Sequence, residues 1–350
     1  MPPEIREALA RPMVHHRTPE FQAVLKEVGE GLKKIFGTQQ AVLILTSSGT
    51  GAMEAAVTNL LSPGDEAVVI RGGKFGERWG EICQAYGIRV IAIDSPWGEP
   101  LDLTRVTQAC AAHPQAKAVF STLCETSTGV RYDIQGIRKA MGASTALLVV
   151  DAISGLGADS FSMDAFGVDA TVCGSQKGFM LPPGLAFIAL SSRAWEAAAG
   201  SRLPKYYFNL TLARKAWEET DTPFTPGINL IVGLHAALKR IETLGFDRIV
   251  AGHQARAREI RRAVKALGLE LYPQESCASS AVTAVKVPPG VDGKELLKRL
   301  KKEHQVILAG GQGKELAGKI FRIASMGAIG EEEIRRGMEA LEKVFKGALK

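Results

Sequence analysis

The chain has 350 residues, of which 46% are hydrophobic and 23% are charged, and its formal net charge is +6. This composition is that of an ordinary globular protein, and the length allows a sizeable hydrophobic core. Basic residues are dispersed, and their densest run, Lys298–Lys302, contains no aromatic residue. A nucleic-acid-binding stripe is therefore not predicted, and no apolar run reaches the length of a membrane span.

Cysteine and histidine residues give no sign of a metal site. The five cysteines form no CxxC pair, and the six histidines form no ligand constellation. An odd number of cysteines, together with an N-terminus that lacks a signal-peptide pattern, predicts reduced thiols and a cytoplasmic protein.

The first elements predicted along the chain are two helices, over residues 3–10 and after Thr18. From residue 41 onwards, short apolar runs alternate with helical patterns, which is typical of βαβ units and a mainly parallel sheet. The predicted strands are Ala41–Leu45, Ala67–Ile70, Val90–Ile93, Ala118–Ser121, Ala146–Val150, Ala170–Val172 and Leu185–Leu190. The helices predicted between them span residues 51–61, 76–86, 103–112 and 134–141.

After Pro226 the pattern changes to long helices, predicted over residues 228–243 and 246–267. A smaller α+β pattern follows, with strands at 281–287, 305–308 and 319–324 and helices at 293–303 and 331–346. We predict a large α/β domain over residues 15–240 and a small C-terminal domain over 245–350. Residues 1–14 are predicted to pack on the small domain.

Small and polar residues at Ser48, Gly49 and Thr50 connect a predicted strand to a predicted helix. Backbone N–H groups at such a helix start favour an anion, most readily a phosphate. A dinucleotide-binding pattern fits poorly because Glu54 stands where its third glycine is required, and no P-loop lysine follows. Taken alone, a strand-to-helix turn that needs small residues explains this run equally well.

Two further reactive groups follow later strands. Asp151 ends the apolar run Ala146–Val150, where a carboxylate is desolvated unless it meets a cation or a strong donor. Lys177 follows the run Ala170–Val172, between Gly174 and Gly178. A structural N-cap and a solvated loop lysine are the ordinary explanations. Taken with the phosphate cradle, however, the acid and the lysine match the ring nitrogen and the aldehyde of pyridoxal 5'-phosphate.

These residues resemble motifs of the class V pyridoxal-phosphate aminotransferases, specifically the alanine–glyoxylate / serine–pyruvate (serine–glyoxylate) aminotransferase family. The resemblance extends over about residues 3–345. Its most specific segments are Ser48–Thr50, Glu125–Val130, Val150–Ile153, Ser175–Lys177, Thr222–Pro226 and Phe321–Ile323. It implies an α/β fold of fold-type I, with a mainly parallel seven-stranded sheet in the large domain and a small C-terminal α+β domain.

The resemblance also implies a role for each site residue. Lys177 would hold the cofactor as a Schiff base, and Asp151 would pair with its ring nitrogen. Ile153 and Phe75 would pack on the two ring faces, although the family often has tryptophan in place of Phe75. The remaining contacts implied are Ser48, Gly49, Thr50 and Gln176 on the phosphate, Thr126 near the ring hydroxyl, and Arg322 on the substrate α-carboxylate.

The implied reaction is a ping-pong transfer of an amino group from alanine or serine to glyoxylate or pyruvate. Thr225 would reach the phosphate of the neighbouring subunit, which implies a homodimer with active sites at its interface. One alternative is a cysteine desulfurase or β-lyase of the same fold, with Cys277 as the candidate cysteine, although Gln176 stands where desulfurases usually have histidine. The other is a non-catalytic accessory subunit that keeps the fold.

Overall fold

A computed structural model describes residues 1–348 of the chain. Its strands in chain order are β1 (Val42–Leu45), β2 (Glu66–Arg71), β3 (Arg89–Asp94), β4 (Ala118–Thr122), β5 (Cys124–Glu125), β6 (Val130–Arg131), β7 (Leu147–Asp151), β8 (Ala170–Gly174), β9 (Ala186–Leu190), β10 (Val282–Lys286), β11 (Ala309–Gly310) and β12 (Ile320–Ala324). All seven predicted strands of the mainly parallel sheet are present, with ends displaced by one or two residues. The α/β fold class predicted from the sequence is therefore confirmed.

The helices flank these strands. In chain order they are α1 (Pro3–Leu9), α2 (Pro19–Phe36), α3 (Gly49–Leu60), α4 (Lys74–Ala85), α5 (Leu103–Ala112), α6 (Ile134–Ala140), α7 (Ser192–Gly200), α8 (Leu210–Glu218), α9 (Ile228–Leu244), α10 (Phe246–Ala266), α11 (Gly293–His304), α12 (Gly313–Leu316) and α13 (Glu331–Ala348). Within residues 1–348, no helix is long and apolar enough to cross a lipid bilayer.

The central sheet has the strand order β1–β9–β8–β7–β4–β2–β3. Strand β9 is antiparallel to both of its neighbours, and the other pairs are parallel. Because β9 reverses direction between β1 and β8, strand β1 runs in the same direction as β8 and β7. The carboxyl ends of these three strands therefore meet at one edge of the sheet, which is where ligands bind in open α/β folds.

The strands are apolar on both faces because helices cover both sides of the sheet. On β7, Leu148 and Val150 belong to the hydrophobic cluster that includes α2 and α9, whereas Leu147 and Val149 belong to the cluster that includes α3 and α4. This alternation follows from the two-residue period of a strand. It fixes the register of β7 and so the position of Asp151 at its end.

A second, three-stranded sheet has the order β10–β12–β11, and its hydrophobic cluster includes residues of α10, α11 and α13. The strand predicted at residues 305–308 is wrong, because pairing with β12 begins only at Ala309. Gln305, which caps α11, has φ 57°. This left-handed conformation turns the chain before pairing can begin, and Val306 and Leu308 pack as loop residues against the cluster.

The sequence predicts that residues 1–14 pack on the small domain, but in the structure helix α1 packs on α9. Ile5 is fully buried in the same cluster as Ile231, and the Leu9 carbonyl accepts a hydrogen bond from Asn229 Nδ2 at 2.9 Å. Gly233 of α9 leaves room for the Leu9 side chain, since a methyl group there would lie 2.7 Å from Leu9 Cδ2. The expectation fails because α9 offers α1 a small-residue groove.

Helices α7 and α8 were not predicted. Both begin at side chains that are good N-caps: Ser191 accepts a hydrogen bond from the Ala194 N–H, and Asn209 accepts one from the Leu212 N–H. These caps are a readable signal for a helix start. Each helix has only nine residues, and so short an apolar pattern is hard to assign from the sequence alone.

Candidate active site

The carboxyl-end edge of the central sheet brings the predicted acid and the predicted lysine loop together. Asp151 is the last residue of β7 and is paired in register with Val172 of β8. The chain leaves β8 at Gly174 and enters the loop that carries Lys177 three residues later. Adjacent parallel strands that end at the same level thus place the two groups side by side.

The predicted phosphate cradle forms where β1 leads into α3. Ser48 is the N-cap of α3, and its side chain makes no capping hydrogen bond. The Gln176 side chain reaches the same place, because a Cβ built on Gly174 would lie 3.0 Å from Gln176 Oε1 and 3.6 Å from the Gly49 nitrogen. Gln176 Oε1 is buried without a hydrogen-bond partner. The carboxamide of Gln176 and a helix start without a side-chain cap therefore lie near one point, and the amide N–H and backbone N–H groups are the donors that a phosphate requires.

Asp151 is 5% exposed, and its Oδ1 accepts a hydrogen bond from the Ile153 N–H at 2.7 Å. Burial raises the pKa of Asp151 from 3.8 to about 7, and the neighbouring Glu125 adds to this rise, whereas Arg78 and Lys177 oppose it. Within residues 1–348, Oδ2 has no hydrogen-bond partner. The carboxyl group is thus arranged to accept a charged N–H donor from a ligand.

Ile153 continues the chain from Asp151 towards the cradle. It is 9% exposed, and it lies so close to Gly49 that a methyl group on Gly49 would overlap its side chain. Ile153 therefore connects the acid to the start of α3 and presents an apolar surface between them. This is the position that a residue packed on an aromatic ring would need.

Lys177 is partly buried and lines a cavity of about 600 Å³ together with Phe75, Thr126 and Arg322. Its neighbour Gly178 is required by close packing, since a methyl group there would lie 2.6 Å from the Leu156 carbonyl oxygen. The glycine therefore lets the lysine loop rest on the segment that follows Asp151. Four of the predicted site residues share this single cavity.

Arg322 lies on β12 and is 7% exposed, so it is not an ordinary solvent-facing strand residue. Its Nε donates to the Gly310 carbonyl at 3.0 Å and its Nη1 donates to the Thr126 carbonyl at 2.8 Å. In the described part of the chain, Nη2 has no partner. The side chain is therefore held in place with donors left for a carboxylate.

Thr126 links this guanidinium to the loop after β7. Its hydroxyl donates to Ser154 Oγ at 2.7 Å, while its carbonyl accepts from Arg322. Thr126 therefore lies between the substrate side and the cofactor side of the cavity. Ser154 was not singled out in the sequence because a serine in a loop carries no distinguishing pattern.

Glu125 is a functional residue that sequence reasoning missed. The side chain is fully buried, and its carboxylate accepts hydrogen bonds from the Phe75 N–H at 3.0 Å and the Gly76 N–H at 2.9 Å. Its Oε1 also accepts from the Ser127 hydroxyl at 2.6 Å. Glu125 thus binds the N-terminal end of α4 and fixes the backbone of Phe75. The sequence shows that Glu125 belongs to the segment Glu125–Val130, but it does not show that the side chain contacts the start of α4.

Replacing Glu125 by alanine is expected to lower the free energy of unfolding by about 1–3 kcal/mol, because three backbone N–H groups and the Ser127 hydroxyl lose their acceptor. Urea-induced unfolding measures this change. The matched control is Glu81→Ala, an exposed residue on the same helix, which should stay within about 0.5 kcal/mol of wild type. Equal stability of the two variants would contradict the role assigned to Glu125.

Arg78 is the second residue that the sequence did not reveal. Its Nη1 donates to Thr50 Oγ1 at 3.3 Å, and its guanidinium lies 4.9 Å from the centroid of the Phe75 ring. Residues 75 and 78 are three positions apart on α4 and so share a face of the helix. Arg78 therefore ties the aromatic side chain to the cradle and adds positive charge near Asp151.

Eight predicted residues do not line the cavity: Ser48, Gly49, Thr50, Asp151, Ile153, Gln176, Thr225 and Cys277. Of the last two, Thr225 is exposed, on the segment before α9. Cys277 is 5% exposed, in a short 3₁₀ helix (Glu275–Cys277), and its thiol lies 3.3 Å from the Gln274 carbonyl oxygen. Cys277 thus lies just before β10 rather than in a strand.

These features together define a pyridoxal-phosphate-dependent aminotransferase: the sheet topology, the buried acid and the loop lysine at one edge of the sheet, and the guanidinium group that shares a cavity with the lysine. The family model described as aminotransferase class-V matches residues 5–329, and the chain belongs to that family. Pyridoxal phosphate is therefore the cofactor. The residues present fit it, since the N–H groups at the start of α3 have no side-chain cap and Asp151 keeps one oxygen free.

Similar proteins carry several names. The "Soluble hydrogenase, small subunit" of Synechococcus sp. (strain PCC 6716) is 44% identical over 99% of this chain and 90% of that protein. The L-aspartate–glyoxylate aminotransferase of Paracoccus denitrificans is 38% identical, with coverages of 99% and 88%. The serine–glyoxylate aminotransferase of Hyphomicrobium methylovorum is 36% identical, with coverages of 99% and 87%.

Among solved structures, the alanine–glyoxylate aminotransferase of Nostoc sp. superimposes with a TM-score of 0.94 at 32% identity. The alignment covers 98% of this chain and 92% of that one. The whole described architecture is thus shared with an aminotransferase. Within residues 1–348, no three His, Cys, Asp or Glu side chains are grouped as metal ligands would be, and the five cysteines are unpaired and buried.

Proposed function

We propose that this enzyme transfers the amino group of alanine or serine to glyoxylate or pyruvate by a ping-pong mechanism. The observation that carries the proposal is that Lys177 and Arg322 line the same cavity of about 600 Å³. A cationic group for the α-carboxylate and an amine for the α-carbon are thus available to one small substrate. The names of similar alanine–glyoxylate and serine–glyoxylate aminotransferases support this choice of substrates.

Bound pyridoxal phosphate supplies an aldehyde and a ring that withdraws electrons from the substrate α-carbon. We assign its phosphate to Ser48, Gly49, Thr50 and Gln176, and its ring nitrogen to Asp151. The ring faces are assigned to Ile153 and Phe75, the ring hydroxyl region to Thr126, and the aldehyde to Lys177.

The residues of this chain then have distinct tasks. Arg322 binds the α-carboxylate through its free donors and so orients the α-carbon. Lys177 Nζ would accept the proton from the substrate α-carbon as general base and, as general acid, would donate it to the cofactor carbon that receives the amino group. Asp151, as a carboxylate, stabilises a proton on the ring nitrogen. Phe75 and Ile153 exclude water from the ring faces.

A donor and acceptor screen tests the substrate assignment. Purified holoenzyme is supplied with alanine, serine or aspartate and with glyoxylate or pyruvate, and the new amino acid is quantified. Alanine and serine are expected to be the best donors. Aspartate is included because a similar protein is named for it and because Arg336 also lines the cavity. A clear preference for aspartate would overturn the proposed donors.

The same assay separates the alternative reactions. Release of sulfide from cysteine without amino transfer would indicate a desulfurase or β-lyase. The position of Cys277 argues against this, because the residue is buried, its thiol pKa is raised by burial, and it does not line the cavity. Absence of transfer from any donor would favour an accessory subunit.

Arg322→Lys is expected to raise the KM for the amino donor by at least about tenfold, because a lysine cannot reproduce the guanidinium fork. Steady-state kinetics with alanine as the donor measures this change. Arg299→Lys is the control, since Arg299 lies on α11 and pairs with Glu303, away from the cavity. An unchanged KM in Arg322→Lys would remove this residue from the substrate site.

We propose that the enzyme is a homodimer in which Thr225 completes the partner's cofactor site. Support comes from an exposed aromatic group beside Thr225: Tyr206 is 80% exposed and Tyr207 is 46% exposed. The Tyr207 ring stacks on Phe224, with centroids 5.3 Å apart. Exposed aromatic clusters of this kind are typical of protein interfaces.

Tyr206→Glu is expected to shift the protein from dimer to monomer and to weaken cofactor retention. Sedimentation velocity gives the mass, and absorbance after gel filtration gives the retained cofactor. Leu244→Glu, which changes an exposed apolar residue distant in sequence from the aromatic group, should remain dimeric. A wild-type monomer that retains cofactor and activity would contradict the proposed assembly.

A further inference from the structure

Another cavity, of about 330 Å³, lies behind the lysine loop and shares one lining residue, Ile329, with the cavity described above. Helices α9 and α10 form one side of it, and the segment after β12 forms the other. We call it the arginine cavity, after the three arginines that line it: Arg240, Arg248 and Arg256. None of its lining residues is acidic.

The positive charge in this cavity is incompletely neutralised. Arg240 forms an ion pair with Glu4 at 2.5 Å, whereas Arg248 and Arg256 have no ion pair within residues 1–348. The Nε atoms of Arg240 and Arg256 are buried without a hydrogen-bond partner. A buried donor without a partner destabilises the fold, and an arginine stays charged in proteins. Glu331 acts electrostatically on Arg256 but forms no ion pair with it among the described residues, so an anion in the cavity would add negative charge beside Arg248 and Arg256.

The arginine cavity also connects parts of the chain that are distant in sequence. Its lining includes Gly178 and Met180 of the lysine loop and Gly327 of the segment after β12. The ring of His253, which also lines the cavity, lies within hydrogen-bonding distance of two carbonyl oxygens, that of Gly157 at 2.7 Å and that of Gly327 at 3.2 Å. A ligand bound here would therefore contact the loop that carries Lys177 without entering the substrate cavity.

We propose that the arginine cavity binds a compact oxyanion of the phosphate class and that binding stabilises the holoenzyme. Guanidinium groups bind phosphate oxygens through paired, charge-assisted hydrogen bonds. The volume, near the lower end of the range for ligand pockets, admits inorganic phosphate or a small phosphate monoester. Apolar side chains at the rim, such as Leu244 and Ile249, favour the monoester.

The test uses holoenzyme, so that the cofactor already fills its own phosphate cradle. Isothermal titration calorimetry measures the Kd for inorganic phosphate and for glycerol phosphate at constant ionic strength, and a thermal melt measures stabilisation. The variants are Arg256→Gln and Arg248→Gln. The control is Arg258→Gln, an exposed residue on the same helix that does not line the cavity.

Wild type and Arg258→Gln are expected to bind with equal Kd and to melt at a higher temperature with ligand. Arg256→Gln and Arg248→Gln are each expected to bind at least about tenfold more weakly. Tighter binding of glycerol phosphate identifies a phosphate monoester as the ligand class, and equal binding identifies free phosphate. The proposal is overturned if wild type does not bind, if Arg256→Gln binds like wild type, or if Arg322→Gln alone loses binding, which would place the anion in the substrate cavity.

Discussion

Lys177→Ala is expected to lower the rate of amino transfer by at least about a thousandfold, because one amine both holds the cofactor and moves the proton. In the structure Lys177 is the lysine that lines the cavity with Arg322. Among the described residues no other lysine lines this cavity, so none is placed to replace it. The loss should appear in single-turnover kinetics as well as in kcat.

A second measurement separates attachment of the cofactor from catalysis. Borohydride fixes a lysine-bound cofactor to the protein, so denatured wild-type enzyme should keep the cofactor absorbance and denatured Lys177→Ala should not. Lys286→Ala is the control, because Lys286 is at the end of β10, outside the cavity lining, and forms an ion pair with Glu270. Full turnover by Lys177→Ala, or cofactor that remains fixed to it, would disprove the assignment.

The fold could be predicted because its signals are local. Each strand of the central sheet is a short apolar run between turn residues, and β7 shows this in the run that ends at Asp151. The position of α1 could not be predicted in the same way. Its amphipathic pattern requires an apolar partner, but only the folded chain shows that the small Gly233 on α9 provides one.

The site residues also differ in whether local sequence signals reveal them. Asp151 and Lys177 follow strands and could be found from sequence position. Glu125 and Arg78 act through contacts with residues that are 28 to 50 positions away, and no periodicity encodes such contacts. The burial of Arg322 is likewise a property of the folded chain, because two backbone carbonyls hold its guanidinium.

Asp151→Asn is expected to lower amino transfer by about a hundredfold or more, because a neutral amide cannot stabilise a proton on the ring nitrogen. The same change should make the cofactor-free protein more stable at high pH. In wild type the pKa of Asp151 is raised to about 7 by burial, against about 3.9 in an unfolded chain. Burial of this carboxyl group, which serves the cofactor, therefore lowers the stability of the folded cofactor-free protein.

The sign of the pH dependence follows from this difference. Between pH 4 and pH 7 the folded protein holds a proton on Asp151 that the unfolded chain has lost, so the stability of the cofactor-free wild type falls as pH rises through this range. A difference of about three in pKa corresponds to about 4 kcal/mol. Asp151→Asn has no titrating carboxyl group at this position, so its unfolding free energy should not show the decrease that Asp151 causes between pH 4 and pH 7.

Urea unfolding of the two cofactor-free proteins at pH 4.5, 6 and 8 gives the comparison. The difference in unfolding free energy, variant minus wild type, is expected to increase with pH and to level off above about pH 8. Asp247→Asn, which changes an exposed carboxylate in the first turn of α10, should give a difference that is almost independent of pH. Parallel pH curves for wild type and Asp151→Asn would show that Asp151 is not held protonated in the folded protein.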